Sequence, residues 1–171
     1  MTSIQTNSAR VIAMALSAAL ILGAAGAAAP GVPNFHEVNE HLYRGGQPTA
    51  AGLESLAKLG VKTVVDLTGG EESASVKAAG MKYVHVALHS LSAPSDDDIQ
   101  KILATFDDST GWPVFVHCRR GKDRTGVAIA CYRIAHDGWT NEKALEEARL
   151  DGLSRMQRSM IQYILGFHRD R

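Results

Sequence analysis

Apolar and polar positions along the chain repeat with two periods, and glycine-rich turns separate the segments. Runs of β-forming residues predict strands, and apolar residues three and four positions apart predict helices. Residues 45–48, Gly-Gly-Gln-Pro, are predicted to form a turn. The predicted strands lie within 35–44, 61–67, 82–88 and 112–117. The predicted helices cover 50–59, 71–79, 95–106, 125–136, 141–150 and a segment after Ser154. Strands that alternate with helices predict an α/β fold with a central, mostly parallel sheet flanked by helices.

Capping residues mark where several of these helices begin. Thr49, Ser95 and Thr140 each precede a helical segment and carry a hydroxyl that can accept a backbone N–H. Asp98 completes a capping box with Ser95. Ser154 is predicted to cap the last helix, whose methionines are expected to fill the core. One face of that helix would hold Met156, Met160, Ile161, Ile164, Leu165 and His168.

The first 29 residues differ in composition from the rest. Arg10 is followed by an apolar segment, 11–25, and then by small residues before Pro30. This arrangement is typical of a cleaved secretory signal peptide. We therefore expect residues 1–29 to be a signal peptide and residues 30–171 to be one exported domain, periplasmic or secreted. The alternative is an uncleaved membrane anchor, which the shortness of the apolar segment argues against.

The predicted domain is close to electrical neutrality. Removing residues 1–29 takes away Arg10 and no acidic residue, which leaves 17 Lys and Arg against 18 Asp and Glu. That balance does not favour a nucleic-acid-binding protein, which is typically basic. A domain of 142 residues, from 30 to 171, can bury one core without disulfide bonds. We expect it to be a monomer with no stable membrane span after signal cleavage.

One segment combines a strand, a tight loop and a helix with reactive side chains. The β-forming run ends at His117 and Cys118, glycine and basic residues follow, and Arg124 stands where the next helix begins. Such a loop gathers backbone N–H groups around one point and directs the positive end of a helix dipole toward it. Cations and a helix N-terminus lower the pKa of a cysteine, so Cys118 is predicted to be a thiolate. A nucleophile beside an anion site favours phosphoryl transfer through a covalent intermediate.

The motif His-Cys-x5-Arg-Thr-Gly at 117–126 resembles the signature loop of the cysteine-dependent protein-tyrosine and dual-specificity phosphatases. Residues 42–48 resemble, less specifically, compact atypical bacterial and fungal dual-specificity phosphatases, and the likeness extends over most of 35–170. Within that segment, Arg44 and Gln47 are expected to be structural. The resemblance implies a phosphatase-like fold and a phosphoric monoester hydrolase that forms a phosphocysteine. Its substrates would be phosphotyrosine, phosphoserine or phosphothreonine of proteins.

The resemblance also implies a role for each residue of the loop. Cys118 would attack phosphorus, and Thr125 would bond its sulfur and stabilise it as the leaving group of the second step. Arg124 would hold two phosphoryl oxygens with its planar guanidinium. His117 would orient the loop rather than act as an acid. The backbone N–H groups that would bind phosphate belong to Arg119, Arg120, Gly121, Lys122, Asp123 and Arg124.

The usual general acid is missing from this chain. The family usually carries an aspartate in the loop before the helix that precedes the signature strand, but residues 87–94 contain no acidic residue. Asp123 is one substitute, because a loop aspartate is thought to take this role in a group of similar bacterial phosphatases. A salt bridge to a loop cation is its competing interpretation. His89 could serve as an imidazolium. Asp96 and Asp97 are the third possibility, although acids in the first turn also favour the helix dipole.

The basic residues of the loop leave the substrate class open. Arg119, Arg120 and Lys122 form either a solvated rim or a site for a multiply phosphorylated substrate, such as an inositol phosphate or phosphoinositide. A phosphate-binding pseudophosphatase and a persulfide-carrying sulfurtransferase are further alternatives. We expect a phosphorylated protein or a small phosphomonoester as the partner. We expect no cofactor and no metal, since the sequence contains no His or Cys spacing for a metal site.

The chain has two cysteines, Cys118 and Cys131. Cys131 lies seven residues past Arg124 on the same predicted helix, about 10 Å along its axis. A disulfide needs Cα atoms within about 7 Å, so a bond between the two would distort the loop. We expect Cys131 to be a buried structural thiol and Cys118 to be free. In an exported protein such a thiolate is exposed to oxidation.

Overall fold

The structure, a computed structural model, describes residues 29–70 and 72–168, so the predicted signal peptide lies outside the described residues except for Ala29. Five strands form its sheet: β1 (His36–Asn39), β2 (Leu42–Gly46), β3 (Thr63–Asp66), β4 (Lys82–His85) and β5 (Val114–Cys118). They lie in the order β1-β2-β5-β3-β4. β1 is antiparallel to β2, and every other neighbouring pair is parallel. The predicted mostly parallel sheet is therefore confirmed.

Helices cover both faces of this sheet. They are α1 (Ala50–Lys58), α2 (Ser73–Ala78), α3 (Asp96–Asp107), a 3₁₀ turn (Ser109–Gly111), α4 (Asp123–Ala135), α5 (Asn141–Leu150) and α6 (Arg158–Gly166). α1 and α2 share a small core with one face of the sheet, and α3 to α6 share a larger core with the other face. Within residues 29–70 and 72–168, no helix combines the length and apolarity needed to cross a bilayer.

Adjacent residues of the central strands face opposite cores. Val64 and Phe115 belong to the core with α1 and α2, whereas Val65 and Val116 belong to the core with α3 to α6. All four are fully buried. Strands buried on both faces are continuously apolar, as β3 and β5 nearly are. The carboxyl ends of β2, β3 and β5 meet at one edge, and ligands bind at this edge in open α/β sheets.

Three predicted helix caps are confirmed. Thr49, Ser95 and Thr140 have extended backbone angles and immediately precede α1, α3 and α5. Each hydroxyl accepts the N–H of the third residue after it, at 3.1, 3.1 and 3.2 Å respectively. Ser95 also donates to the carboxylate of Asp98 at 2.6 Å. These local hydrogen bonds explain why the helix starts can be predicted from sequence.

The predicted turn at residues 45–48 is wrong for its first two residues. β2 continues through Gly46, which pairs with Cys118 of β5. A Cβ at Gly45 would lie 2.8 Å from the side chain of Val32 and 3.0 Å from the ring of Phe115. Position 45 needs glycine because the strand backbone lies too close to these side chains to admit a Cβ. β2 therefore extends as far as Gly46, which lies beside Cys118 in the sheet.

The predicted start of the last helix is also wrong. α6 begins after its N-cap Gln157, and the Ser154 hydroxyl instead accepts the N–H of Met156 at 3.2 Å in a preceding turn. The Ser154 N–H donates to the Asp123 carboxylate at 2.9 Å, which holds this segment against the start of α4. Met156, predicted to be core, is 89% exposed, whereas Met160 is buried as predicted.

Candidate active site

Cys118 is the last residue of β5, and it is 3% exposed at the carboxyl edge of the sheet. The chain then turns and enters α4 at Asp123. Gly46 of β2 pairs with Cys118, and Asp66 of β3 pairs with His117. We call residues 118–124 the signature loop. The predicted order of strand, loop and helix is confirmed, with parallel strands on both sides of the cysteine.

Hydrogen bonds favour the thiolate of Cys118, which is its reactive form. Burial alone would raise the pKa of this thiol, because it removes the thiolate from water. The hydroxyl of Thr125 and the N–H groups of Thr125, Lys122 and Arg120 oppose burial, and together they lower the pKa below its ordinary value. The Thr125 hydroxyl is fully buried, and the Cys118 sulfur is the group whose pKa it lowers. The predicted convergence of loop N–H groups is therefore present around the sulfur.

Gly121 provides the tight turn of the signature loop. Its φ is +68°, in the left-handed region that favours glycine. A Cβ at this position would lie 2.3 Å from the carbonyl carbon of Gly45 and 2.4 Å from the nitrogen of Gly46. The signature loop and β2 therefore contact each other backbone to backbone, and a side chain at position 121 would force them apart.

A buried arginine braces the same turn from behind. Arg44, which is 1% exposed, donates to the carbonyl of Gly121 and to the carboxylate of Asp151, both at 2.6 Å. Asn34 donates to the same Gly121 carbonyl at 2.8 Å and to the backbone carbonyl of Asp151 at 3.1 Å. The structural role expected of Arg44 is thus seen, and it links β2, the signature loop and the segment after α5.

Backbone carbonyls orient Arg124 in the first turn of α4. Its Nη1 donates to the carbonyl of Leu67 at 3.1 Å and to that of Leu88 at 3.3 Å. Leu67 directly follows β3, and Leu88 lies shortly after β4. The ends of two strands therefore fix a guanidinium that lines the same pocket as Cys118. A guanidinium held in this way can bind two oxygens of a phosphoryl group.

The cysteine opens into a pocket of about 540 Å³. The pocket is lined by Ser90, Leu91, Cys118, Arg119, Arg120, Asp123, Arg124 and Gln157. Arg119 and Arg120 are exposed, as expected for a basic rim. The side chain of Lys122 instead lies against Gly152 and is not part of this lining. Two of the three predicted rim cations therefore border the pocket.

Asp123 brings a carboxylate to the pocket and is 8% exposed. Its Oδ1 accepts the N–H of Ser154 at 2.9 Å, and its Oδ2 accepts from Nη2 of Arg120 at 3.3 Å. The salt bridge to a loop cation is thus present. Oδ2 is therefore occupied by Arg120, so proton donation from this oxygen would require that contact to be released.

The other candidate acids lie outside the pocket lining. His89 is exposed beside Ser90, and its side chain is not among the lining groups. Asp96 accepts the hydroxyl of Tyr163 at 2.8 Å, and Asp97 is exposed in the first turn of α3. Of the four acids considered from the sequence, the structure brings Asp123 to the cysteine and leaves the other three apart.

His117 is fully buried behind the signature loop, where it meets two carboxylates. Its Nε2 lies 3.2 Å from a carboxylate oxygen of Glu72, and ligand atoms of His117, Glu72 and Asp66 lie within 4.8 Å of one another. Asp66 already accepts the N–H of Thr68 at 2.7 Å and the hydroxyl of Tyr83 at 2.9 Å. Burial and that hydrogen bond raise the pKa of Tyr83 to about 12. Within the described part of the chain, these three side chains form the cluster that could hold a cation. The spacing of His and Cys residues in the sequence did not predict it.

Sequence reasoning missed the contribution of Gln157, the N-cap of α6, to the pocket. Gln157 lines the pocket and donates from Nε2 to the carbonyl of Ser90 at 2.9 Å, and the Ser159 hydroxyl donates to the carbonyl of Leu91 at 3.3 Å. These contacts join residues 67 and 68 positions apart. No local periodicity marks such pairs, whereas the position of residues 87–94 after a predicted strand could have placed that loop at the binding edge.

The second cysteine lies in the core formed by α4. Cys131 is fully buried, and both Cys131 and Cys118 are free thiols. Burial raises the pKa of Cys131, the reverse of the shift at Cys118. The prediction that Cys131 is a buried thiol is confirmed.

Comparison with known sequences agrees with this geometry. Residues 29–163 match the family model described as "DSP-PTPase phosphatase fused to NAD+ Kinase". The chain is 31% identical over 158 residues to the dual specificity protein phosphatase TpbA of Pseudomonas aeruginosa strain UCBPP-PA14, covering 84% of this chain and 72% of that protein. It is 26% identical over 137 residues to the inositol diphosphatase DSP5 of Arabidopsis thaliana, covering 75% of this chain and 67% of that protein.

Solved structures share the fold. The crystal structure of P. aeruginosa TpbA superposes with a TM-score of 0.74 at 29% identity, covering 85% of this chain and 91% of that one. A cysteine-to-serine variant of TpbA was solved in complex with phosphotyrosine. The core catalytic domain of the PP-IP phosphatase SIW14 from S. cerevisiae superposes with a TM-score of 0.75 at 23% identity, covering 84% of this chain and 90% of that one. At this identity the likeness supports the fold alone. With the family match and the TpbA relative, the chain belongs to the DSP-PTPase family and is a cysteine-dependent phosphatase of the dual-specificity type.

Proposed function

We propose that this protein hydrolyses phosphate monoesters through a phosphocysteine at Cys118. The observation that supports this most strongly is a buried thiol whose pKa is lowered by one hydroxyl and three backbone N–H groups. In the first step, the Cys118 sulfur bonds to phosphorus, the bond from phosphorus to the ester oxygen breaks, and that oxygen takes up a proton. In the second step, water attacks phosphorus, the sulfur–phosphorus bond breaks, and inorganic phosphate leaves.

Arg124 and the loop amides stabilise the phosphoryl group during both steps. The guanidinium is oriented in advance by the carbonyls of Leu67 and Leu88, so little reorganisation accompanies the reaction. The N–H groups of residues 119–124 bind the remaining phosphoryl oxygens. Thr125 hydrogen-bonds the sulfur and stabilises the thiolate as it departs in the second step.

Asp123 is the proposed proton donor for the leaving oxygen, because it is the acid that shares the pocket with Cys118. Its Oδ1 remains bonded to Ser154, and its Oδ2 contacts Arg120, whose side chain is 72% exposed. A bound phosphate attracts Arg120, and this movement frees Oδ2 to face the leaving oxygen. His89 is the second candidate, since it neighbours the pocket residue Ser90 and an imidazolium can donate a proton.

Phosphorylated proteins are the proposed substrates, with phosphotyrosine foremost. The related TpbA binds phosphotyrosine in its serine variant. Inositol phosphates are the second candidate. The exposed cations Arg119 and Arg120 at the pocket favour them, as does the likeness to the inositol diphosphatase DSP5.

Turnover of p-nitrophenyl phosphate tests the mechanism. Cys118→Ser should lower kcat by about 10⁴-fold or more, because a serine hydroxyl is a far weaker nucleophile without a general base. Cys131→Ala removes the other thiol and is the matched control. Mass spectrometry after rapid acid quench should find a phosphate adduct on Cys118 in the wild type. If Cys118→Ser turns over substrate within tenfold of the wild-type rate, the mechanism is rejected. If the wild-type protein binds phosphate but does not hydrolyse the substrate, it is a pseudophosphatase.

We further propose that residues 1–29 direct export and that residues 30–171 act as a monomeric domain outside the cytoplasm. The positive charge, short apolar run and small residues before Pro30 support this. Sequencing the N-terminus of protein recovered from periplasm or medium tests it. A chain that keeps residues 1–29 and sediments with membranes would favour the anchor instead.

A further inference from the structure

The proposed mechanism gives no task to three polar side chains that lie together behind the signature loop. Asp66 and His117 are fully buried and pair with each other across β3 and β5. Glu72, whose side chain is 13% exposed, immediately precedes α2. One ligand atom from each of the three lies within 4.8 Å of the others. We call these side chains the buried cluster, and they join three separate parts of the chain.

Two atoms of the buried cluster face each other without forming a hydrogen bond. Nε2 of His117 lies 3.2 Å from Oε2 of Glu72. Within residues 29–70 and 72–168, neither of these atoms has a hydrogen-bond partner, and Nδ1 of His117 has none either. Buried polar atoms in proteins are nearly always paired, because leaving one unpaired is costly. A positive ion between the two atoms would pair both at once.

The charges of the buried cluster favour a divalent ion. Asp66 and Glu72 contribute two carboxylates, and the ion pairs made by lysine and arginine in the described part of the chain involve other carboxylates. Buried carboxylates are costly unless an opposite charge neutralises them. A divalent cation balances both carboxylates and leaves the imidazole neutral, which is the form that binds metal.

Hydrogen bonds from outside the buried cluster hold both carboxylates. Gln47 donates to Oε1 of Glu72, which leaves Oε2 to face His117. Asp66 accepts the hydroxyl of Tyr83 at 2.9 Å. Outer hydrogen bonds of this kind orient the ligands in metal sites. The carboxylates are therefore fixed in place by groups that would not themselves contact the ion.

A second pocket gives the buried cluster its own route to solvent. Tyr83, which bonds to Asp66, lines this pocket of about 620 Å³, and so does Ser73, which follows Glu72 in the chain. Among the described residues, this pocket and the pocket at Cys118 have no lining side chain in common. The approach to the buried cluster is therefore separate from the approach to the nucleophile.

We propose that Asp66, Glu72 and His117 bind Zn²⁺, which ties β3, β5 and the residue before α2 together behind the signature loop. Zn²⁺ binds imidazole nitrogen and carboxylate oxygen at about 2.0–2.2 Å, so two of its ligands lie about 3.4 Å apart in a tetrahedral site. The 3.2 Å between Glu72 and His117 fits that spacing. Mg²⁺ and Ca²⁺ prefer oxygen ligands, so the imidazole disfavours them. The inference does not depend on the proposed function, because binding is measured without turnover.

Isothermal titration calorimetry with zinc chloride tests the proposal on the full chain, purified without a histidine tag and stripped with EDTA. The parent protein carries Cys118→Ser, since a thiolate at Cys118 would itself bind Zn²⁺. Glu72→Gln removes one ligand but keeps an oxygen that can accept from Gln47. Asp107→Asn is the matched control, because Asp107 forms a histidine–carboxylate pair with His136 at 2.7 Å on the exposed surface.

The parent and Asp107→Asn should each bind one Zn²⁺ per chain. Glu72→Gln should bind it about 100-fold more weakly, because even an outer hydrogen bond contributes about 10- to 100-fold. At about 100 times its Kd, Zn²⁺ should raise the unfolding midpoint of the parent by about 5–10 °C.

The proposal is overturned if the parent binds no Zn²⁺, or if Glu72→Gln binds it as tightly as the parent does. If Glu72→Gln does not fold, Tyr83→Phe decides instead, since it removes a hydrogen bond to Asp66 but no ligand. Binding that is about tenfold weaker in Tyr83→Phe supports the site, and unchanged binding overturns it.

Discussion

The two loops that border the pocket are built in opposite ways. In the signature loop, Cys118, Gly121 and Asp123 are buried, and Arg44 braces the turn from behind. In the 87–94 loop, four consecutive residues, 89–92, are exposed. Side-chain hydrogen bonds from Gln157, which precedes α6, and from Ser159 within α6 hold the backbone of that loop at two of its carbonyls.

This difference separates two tasks within one pocket. Reacting groups need fixed geometry, since a misplacement of about 1 Å can lower the rate 100-fold. Groups that contact a variable part of the substrate tolerate an exposed loop. In this chain the proposed acid, Asp123, stands in the rigid loop together with the nucleophile, and residues 87–94 contain no acidic residue. Substitutions in the two loops should therefore have unequal effects.

After substitution of the nucleophile itself, the largest effect is expected for Arg124→Lys. An ammonium cannot bind two phosphoryl oxygens while it also donates to the carbonyls of Leu67 and Leu88, so kcat for p-nitrophenyl phosphate should fall by about 10²- to 10³-fold. The thermal unfolding midpoint should be compared in the same samples to establish that the variant is folded. A fall of less than tenfold in a folded variant would mean that rigid positioning of this guanidinium contributes little.

Asp123→Asn compares the two loops most directly. It should lower kcat for an alkyl phosphate by about 100-fold and have a smaller effect on p-nitrophenyl phosphate, whose leaving group needs less protonation. Asparagine can still accept the N–H of Ser154, so the fold should survive. His89→Asn, in the exposed loop, is the counterpart and should keep the wild-type rate. The reverse outcome would assign the acid to His89.

Gly121→Ala should destabilise the protein by about 3 kcal/mol, because strain at positive φ adds to a collision with β2. The added Cβ would lie 2.3 Å from the carbonyl carbon of Gly45. Gly138→Ala is the matched control, since Gly138 also has positive φ, +65°, but no atom within 4 Å of the added Cβ. It should cost only about 1 kcal/mol. Urea unfolding measures both, and equal losses would show that the contact between β2 and the signature loop is unimportant.

The smallest effect is expected for Thr125→Val, and it is a shift along the pH axis. Removing the hydroxyl removes a hydrogen bond that favours the thiolate, so the pKa of Cys118 should rise. The acidic limb of kcat/KM and the pH dependence of iodoacetamide alkylation should therefore both move to higher pH. Thr125→Ser keeps the hydroxyl and should keep the wild-type profile. An unmoved profile in Thr125→Val would mean that the loop amides alone set this pKa.

The sequence predicted those features that depend on short stretches of chain. The caps at Thr49, Ser95 and Thr140 are bonds between residues three positions apart, and the spacing of Cys118 and Arg124 reflects a single loop. Both could be inferred from local pattern. The sheet followed from the alternation of strands and helices.

Contacts between distant segments could not be predicted in this way. Arg44 meets Asp151 across 107 positions, and Gln157 meets Ser90 across 67 positions. Ser154 resembles a helix cap in sequence, but its N–H bonds to Asp123, and the helix starts later. In each case a partner from another element decided the outcome, and helical periodicity carries no information about that partner.

The pKa values of the two thiols shift in opposite directions, so alkylation of the cysteines can measure how much of the protein is folded. Alkylating reagents attack thiolates, so at neutral pH the first equivalent of reagent should enter at Cys118 and count the chains with an intact signature loop. Cys131 is protected by burial and by its raised pKa. Uptake of a second equivalent therefore requires α4 to leave the core, and its rate measures how often that core opens. One reagent thus separates molecules that are competent for catalysis from molecules that have begun to unfold.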